Sequence, residues 1–255
     1  MCIRDRSYNT DSGIGKPEDL AGKKLGVAEY QQTAALWTRG VLEHDFGVSQ
    51  YKVHWYMERS EELSHGGATG FEPPPGISFQ RIPTDKSLAS MLLANEIDAA
   101  AVVGPWTRSA SVIDRSSRIP GSGDWSKVKL LFPDRIAETR RFVQQHGFLP
   151  ANHAYIIRGE VYKKHPWAAF NLYSGFVKAK ALARQKLAES MPSALFFGPE
   201  YLAMTRRLIG DDPFPYGIKA NQAMLDTITS YSHEQGLAPR QVKPEELFAE
   251  QTLSL

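Results

Sequence analysis

Lys23-Lys24-Leu25-Gly26-Val27-Ala28, followed by a helix-patterned run from Gln31 to Phe46 and then by Val53-His54-Trp55-Tyr56-Met57, is the stretch that decides the fold. The first segment has the length and apolar character of a short buried strand. Gln31 to Phe46 reads as a helix, with Ala34, Ala35, Leu42 and Phe46 among its apolar positions and Gly47 as its C-terminal stop. Val53 to Met57 reads as the next strand. Strand, helix and strand at this spacing make a βαβ crossover, which joins parallel strands. Just upstream, Pro17-Glu18-Asp19-Leu20 suits a single helical turn ended by Gly22.

Outward from this unit the same signals recur. Ile77 to Ile82 predicts a strand, and Ser87 to Ala94 a short amphipathic helix capped by Asp85 or Thr84. Ile97 to Val103 is apolar enough to be buried on both faces. Lys129 to Phe132 predicts a further strand, Asp134 caps a helix that Gly147 stops, and His153 to Arg158 is the last strand. Two long irregular stretches interrupt the pattern. Glu58 to Gly76 carries Gly66-Gly67, Gly70 and Pro73-Pro74-Pro75, and Pro105 to Trp125 is rich in Ser and Gly; insertions this long are functional or mobile. From Val161 the chain is helical, with Pro166 opening Trp167 to Glu189, followed by Tyr201 to Ile209 and Ala220 to Glu234. The composite is α/β, a parallel-rich sheet with flanking helices and a helical C-terminal third.

Composition bounds the function. The 255 residues make one large domain or two small ones, at about 150 residues per domain. With 30 Lys+Arg against 28 Asp+Glu the formal charge is +2, which excludes a broad nucleic-acid footprint. The single cysteine, Cys2, excludes an intramolecular disulfide and a cysteine metal cluster. No apolar run approaches the ~18 residues of a membrane span, so no membrane insertion is expected. Met1 to Arg6 (MCIRDR) lacks the apolar region of a secretory signal and reads as a non-native scar.

Strong catalytic motifs are missing from the sequence: no GxSxG, Walker loop, HExxH, EF-hand loop or CxxC. Gly13-Ile14-Gly15 lacks the third glycine and the preceding strand of a dinucleotide fingerprint. The 7 histidines show no i, i+4 pair, which argues against a preformed zinc site. A divalent metal held by one histidine plus carboxylates stays open, and no cofactor is assured. What remains is positional. The strand ending at Ala28 delivers Glu29-Tyr30-Gln31-Gln32-Thr33 to a helix N-terminus, whose unpaired N–H groups suit a carboxylate or phosphate. The plainer alternative is that Gln31 and Thr33 cap their own helix. Arg39 and Trp37 lie farther along it, with a solvated arginine and a core tryptophan as the plain readings. Arg81 and Arg108 sit at strand ends or loops, where a bidentate carboxylate clamp is sensible and a surface arginine is the alternative. His153 follows Pro150-Ala151-Asn152; imidazole transfers protons near neutral pH, and a hydrogen-bonded structural histidine is the alternative. Trp125, Trp167, Tyr173 and Phe176 read as core.

Asp19-Leu20-Ala21-Gly22-Lys23-Lys24-Leu25-Gly26-Val27 resembles the DLxGKxxGV opening of the second lobe in type II periplasmic solute-binding folds, and Glu96-Ile97-Asp98-Ala99 resembles a strand that recurs in them. Glu29-Tyr30-Gln31-Gln32-Thr33-Ala34-Ala35-Leu36-Trp37-Thr38-Arg39-Gly40 is similar to the EYQxTAAxWxRG segment of 4,5-dihydroxyphthalate decarboxylases. Leu131-Phe132-Pro133-Asp134, Val161 to Trp167, Gly210 to Gly217 and Tyr231 to Leu237 extend the likeness. The resemblance implies a periplasmic-binding-protein-like fold. Residues 1–6 are then the scar, 7–150 mainly the second α/β lobe, and 151–255 a crossover strand with helices packing toward an incomplete first lobe. It further implies a carboxy-lyase that converts 4,5-dihydroxyphthalate to protocatechuate, with a cytoplasmic location and homo-oligomerisation left open. The alternative is a non-enzymatic, periplasmic solute-binding protein of a transporter for an aromatic or other small organic acid. For the lyase, the chemistry assigns Tyr30, Gln31 and Thr33 to an anion cradle and Arg39 or Arg108 to a clamp on the small aromatic dicarboxylate. His153 is assigned to proton transfer, with Glu29 as its alternative.

Overall fold

A computed structural model of the chain describes residues 6–62, 64, 71–101, 115–116 and 118–255. Cys2, part of the Glu58–Gly76 insertion, Arg108 and most of the Pro105–Trp125 loop's first half lie outside the described residues.

The strands are β1 (Arg6–Asn9), β2 (Lys24–Val27), β3 (His54–Met57), β4 (Phe79–Arg81), β5 (Ala99–Ala101) and β6 (Val128–Leu130). They form one sheet in the order β4-β3-β2-β5-β1-β6. Helix α1 (Thr33–Phe46) carries the chain from β2 to β3, which pair in parallel from Lys24 opposite His54 to Val27 opposite Met57. β3 with β4 and β2 with β5 are also parallel, while β1 runs antiparallel between β5 and β6. The fold is therefore α/β with a mixed, mostly parallel sheet. β1 begins at Arg6, which is buried and hydrogen-bonded to the Thr38 hydroxyl.

Strand alternation separates two cores. Leu25, Val27, Trp55, Met57 and Ala99 face a cluster that includes Ala35 and Leu42 of α1. Ala100 and the partly buried Tyr56 join the opposite cluster, built on α2 (Leu88–Leu93). This is the period-2 geometry of a pleated strand covered on both faces. Gly26 belongs to the α2 side: a Cβ there would overlap Leu88 Cδ2 and come within 2.8 Å of Ile97 Cδ1. The cap of α2 is Ser87, whose hydroxyl accepts from Ser90 N, rather than the expected Asp85 or Thr84. Those two residues are spent in the turn closed by Lys86 N–H on Pro83 O.

Two compact units divide the chain. The first is Met1–Glu138 with Tyr231–Arg240, and the second is Thr139–Ser230 with Gln241–Leu255. Asp134 caps α3 (Arg135–His146) as expected, accepting from the N–H groups of Ile136 and Ala137. In the first unit the returning segment is seated on α1. The Tyr231 ring lies over Gly40, Arg39 Nε donates to Gln235 Oε1 at 2.7 Å, and Gln235 Nε2 donates to Leu36 O at 3.0 Å.

The second unit holds α4 (Gly159–Lys164), the 28-residue α5 (Trp167–Ala194) and α6 (Gly198–Ile209). Pro166 stands at the N-cap of α5, as expected. Lys180 ties α5 to the 212–216 turn through Asp212 at 2.6 Å and the Phe214 carbonyl at 2.6 Å. Two expectations are corrected here. His153 to Arg158 is not a strand: it is non-regular and largely exposed. Its residues favour extended backbone, but a strand exists only where a neighbour takes its ladder bonds. Trp167, expected in the core, is 59% exposed.

Candidate functional site

The order of the strands singles out one edge. From β2 the chain builds outward through β3 and β4, and β5 then returns to pair on β2's other side. Loops leaving the carboxyl ends of such strands diverge and open a crevice, where open α/β sheets bind ligands. Beyond β2 and β3 the ladder continues, with Glu58 N–H on Val27 O at 3.0 Å and Arg59 N–H on Ala28 O at 3.1 Å. That pairing sets Glu29 beside Glu58 and Arg59.

Glu29 is 1% exposed. Its Oε2 accepts from Arg59 Nη1 at 2.7 Å, and its Oε1 accepts from Ser64 Oγ and from Gln31 Nε2, each at 2.6 Å. Burying a carboxylate is tolerable only with such partners, and the arginine bond is charge-assisted. Glu58, also 1% exposed, uses a different solution. Its oxygens accept from the N–H groups of Leu88 (2.6 Å) and Arg115 (2.7 Å) and from the Ser116 hydroxyl (3.1 Å). It thereby holds the first turn of α2 and the 115–116 segment to the end of β3. Arg81 donates to Arg59 O at 3.2 Å, and Arg115 donates to Pro83 O and Ile82 O at 2.6 and 3.2 Å, so guanidinium groups gather along this edge.

The N-terminus of α1 opens on the same edge. Its N-cap is Gln32, whose side chain makes no capping bond. The Gln32 carbonyl accepts from Ala35 and Leu36 N–H at 2.8 and 2.9 Å. Helix termini left without a side-chain cap keep donors directed outward, and the aligned peptide dipoles favour an anion there.

No protein-family model matches the chain. A 4,5-dihydroxyphthalate decarboxylase of Comamonas testosteroni is 31% identical over 240 residues, covering 93% of this chain and 69% of that protein. The chain belongs to the 4,5-dihydroxyphthalate decarboxylase family. A second 4,5-dihydroxyphthalate decarboxylase, from Pseudomonas putida, is 37% identical over 95 residues, which is 37% of this chain and 36% of that protein. Among solved structures, the periplasmic aliphatic sulphonate binding protein SsuA of Escherichia coli is similar with a TM-score of 0.47 and 14% identity, over 100% of this chain and 71% of its own. The alkanesulfonate-binding protein SsuA of Xanthomonas axonopodis pv. citri, bound to MOPS, has a TM-score of 0.39 and 16% identity, over 94% and 67%. Likenesses this loose carry no argument, and the α/β class rests on the sheet itself.

In this member of the decarboxylase family the sequence-predicted residues part company. Glu29 and Gln31 come together, with Thr33 as the first residue of α1. Tyr30 and Arg39 come together elsewhere, inside the core, both 0% exposed. The Tyr30 hydroxyl donates to Gln50 Oε1 at 2.8 Å, and its ring meets Trp55 and Phe79 edge-on. Arg39 stacks 3.8 Å over that ring and donates to Tyr30 O at 2.7 Å. A long helical side chain leans toward its own N-terminus, which is why a residue nine positions on reaches Tyr30. Burial pushes the Tyr30 phenol up to about 12, against the opposing charge of Arg39. Burial likewise lowers Arg39 to about 10, with Tyr30 opposing the shift.

His153 is exposed and belongs to the second unit, in the non-regular stretch before α4. Arg108 lies outside the described residues. Among the described residues no group of three or more His, Cys, Asp and Glu side chains is placed to hold a metal ion, and no helix is long and apolar enough to cross a membrane. Sequence reasoning missed Glu58, Arg59 and Ser64. The signal available was Met57-Glu58-Arg59, a charged pair set directly behind an apolar strand.

Proposed function

We infer that the chain is a carboxy-lyase that removes one carboxylate from 4,5-dihydroxyphthalate, or a closely related aromatic dicarboxylate, and leaves protocatechuate. The observation that carries this is the 31% identity over 93% of the chain to a protein of that name. In the reaction the bond from ring carbon to carboxylate breaks, CO2 leaves, and the electron pair stays on the ring carbon, which takes a proton. The hydroxyl para to that carbon pushes electron density toward it, more strongly as its own proton is withdrawn. The retained carboxylate needs a fixed positive potential that holds the ring while the departing group turns out of its plane.

The carboxyl edge of β2 and β3 supplies the kinds of group this requires. In this reading Thr33 and the N–H groups at the N-terminus of α1 cradle the retained carboxylate, Gln31 binds the substrate beside them, and Arg81 adds to the positive field. From the sequence, Arg108 is proposed as a further clamp and His153 as the proton donor, a role that typically contributes about 10²–10⁴-fold. Glu29 is the structural counter-charge of Arg59. Tyr30 and Arg39 act from the core, where they fix the segment that leads into α1. The enzyme works in the cytoplasm on a small aromatic acid.

The test is direct. The purified chain is incubated with 4,5-dihydroxyphthalate while CO2 and the ultraviolet spectrum of protocatechuate are followed. One CO2 released per protocatechuate formed is the expected result. Calorimetric binding of the dicarboxylate with no CO2 release would assign the chain to the solute-binding reading instead.

A further inference from the structure

The side-chain carbonyl oxygen of Gln31, Oε1, is buried and has no hydrogen-bond partner among the described residues. Folded proteins retain few such acceptors, because desolvation without a replacement bond is unfavourable. Turning the amide over does not relieve it. Gln31 Nε2 stands 2.6 Å from Glu29 Oε1 and 3.2 Å from Ser64 Oγ. A reversed amide would press its carbonyl oxygen against a carboxylate oxygen, acceptor on acceptor. The carboxylate is itself anchored by Arg59 Nη1 at 2.7 Å and the Ser64 hydroxyl at 2.6 Å. Glu29 therefore decides which way the Gln31 amide faces, and the outcome is a fixed acceptor next to the entrance of α1.

An amide carbonyl accepts O–H or N–H donors and repels carboxylates. It is the wrong group for the acid end of an aromatic acid and the right one for a ring hydroxyl. The N–H groups at the start of α1 have the opposite preference. We propose that Gln31 is a specificity-determining residue, which accepts a hydrogen bond from a ring hydroxyl of the substrate, and that Glu29 is the residue that positions it. The proposal rests on the decarboxylase reading for the class of ligand and adds to it the group that tells a hydroxylated phthalate from phthalate. It also removes Glu29 from proton transfer, since its two oxygens already receive donors from three side chains.

A site that hydrogen-bonds a hydroxyl discriminates against analogues that lack it. The experiment measures binding of 4,5-dihydroxyphthalate and of phthalate, which keeps both carboxylates and has no hydroxyl, by rapid-mixing tryptophan fluorescence before turnover. The wild-type chain is expected to bind the dihydroxy acid at least about tenfold tighter. Gln31→Met, which keeps the length and removes the acceptor, should weaken the dihydroxy acid about tenfold and leave phthalate within about twofold. Glu29→Gln should lower the same ratio, because its amide no longer dictates the orientation of Gln31. Gln31→Asn, which withdraws the carbonyl by one methylene, should give the same loss of selectivity and serves if Gln31→Met does not fold.

Equal weakening of both ligands would overturn the proposal in favour of a general role in the anion cradle. An unchanged ratio would overturn it in favour of a bound water on the carbonyl. A Glu29→Gln variant that keeps the ratio and loses turnover about 100-fold would return Glu29 to proton transfer. The decarboxylase reading fails separately, if the wild-type chain shows the selectivity and releases no CO2. A wild-type chain that binds neither ligand overturns both.

Discussion

Replacing Gly40 by alanine puts a methyl group into the ring of Tyr231. A Cβ at position 40 would overlap Cδ2 and Cε2 of that ring and lie 2.7 Å from Cγ. The ring has nowhere to go. Trp37 meets it edge-on with centroids 5.7 Å apart, His44 stacks on it at 4.8 Å, and Tyr231 is only 5% exposed. If the ring and the helix slide apart, overpacking of this kind costs about 1–3 kcal/mol. If the ring is expelled, the loss approaches the burial of an aromatic side chain, about 4–5 kcal/mol at ~25 cal/mol per Å². Against either stands the gain of about 1 kcal/mol from alanine over glycine inside a helix. The net expectation is a destabilisation of about 2 kcal/mol, the sliding cost at its upper end less the helix gain.

Urea unfolding followed by tryptophan fluorescence reads this loss, with Trp37 beside the altered contact. At an m-value of about 2–3 kcal/mol/M the midpoint should fall by about 0.7–1 M. A cycle with Tyr231→Ala isolates the cause: in that background Gly40→Ala has nothing to strike and should stabilise by up to about 1 kcal/mol. A Gly40→Ala midpoint equal to or above wild type would refute the reasoning, and so would equal destabilisation in both backgrounds.

Removing the Glu58 carboxylate with Glu58→Ala strands the N–H groups of Leu88 and Arg115 and the Ser116 hydroxyl. A loss of about 3 kcal/mol is expected in thermal melts, with faster amide exchange at Leu88. Alkaline pH should weaken the fold through Tyr30. Its folded phenol is held up to about 12 by burial, so above about pH 10 the unfolded chain releases that proton first and stability falls as pH rises toward about 12. The expected loss from this group is about 1.4 kcal/mol at pH 11, read as a lower urea midpoint than at pH 9. The raised Tyr231 phenol acts in the same direction. In the decarboxylase assay, His153→Gln should lower turnover at least about 100-fold with little change in binding, while Thr33→Val should mainly weaken binding. Unchanged turnover in His153→Gln would remove that histidine from the proton step.

Much of the fold is legible in the chain because its determinants are local. The run from Lys23 to Met57 shows strand, helix and strand by residue periodicity alone, and the structure returns β2, α1 and β3 within one or two residues. Gly47 closes α1 at φ 68° and Asp134 caps α3, since stops and caps are written in single residues. The family likeness of the segment from Glu29 to Gly40 is equally local.

The pairing of elements is not. Nothing near β1 announces that it runs antiparallel between β5 and β6, partners more than ninety residues away, and nothing in 231–240 announces its return to α1. The candidate site divides the same way. The chain by itself determined that Glu29, Tyr30, Gln31 and Thr33 stand where β2 gives way to a helix. Only the tertiary structure decided that Tyr30 turns inward beneath Arg39 while Glu29 meets Arg59 and Ser64, residues 30 and 35 positions on. The physical reason is that burial and hydrogen bonding are satisfied by whichever groups the folded sheet brings within about 3 Å, and sequence separation leaves no trace of that choice.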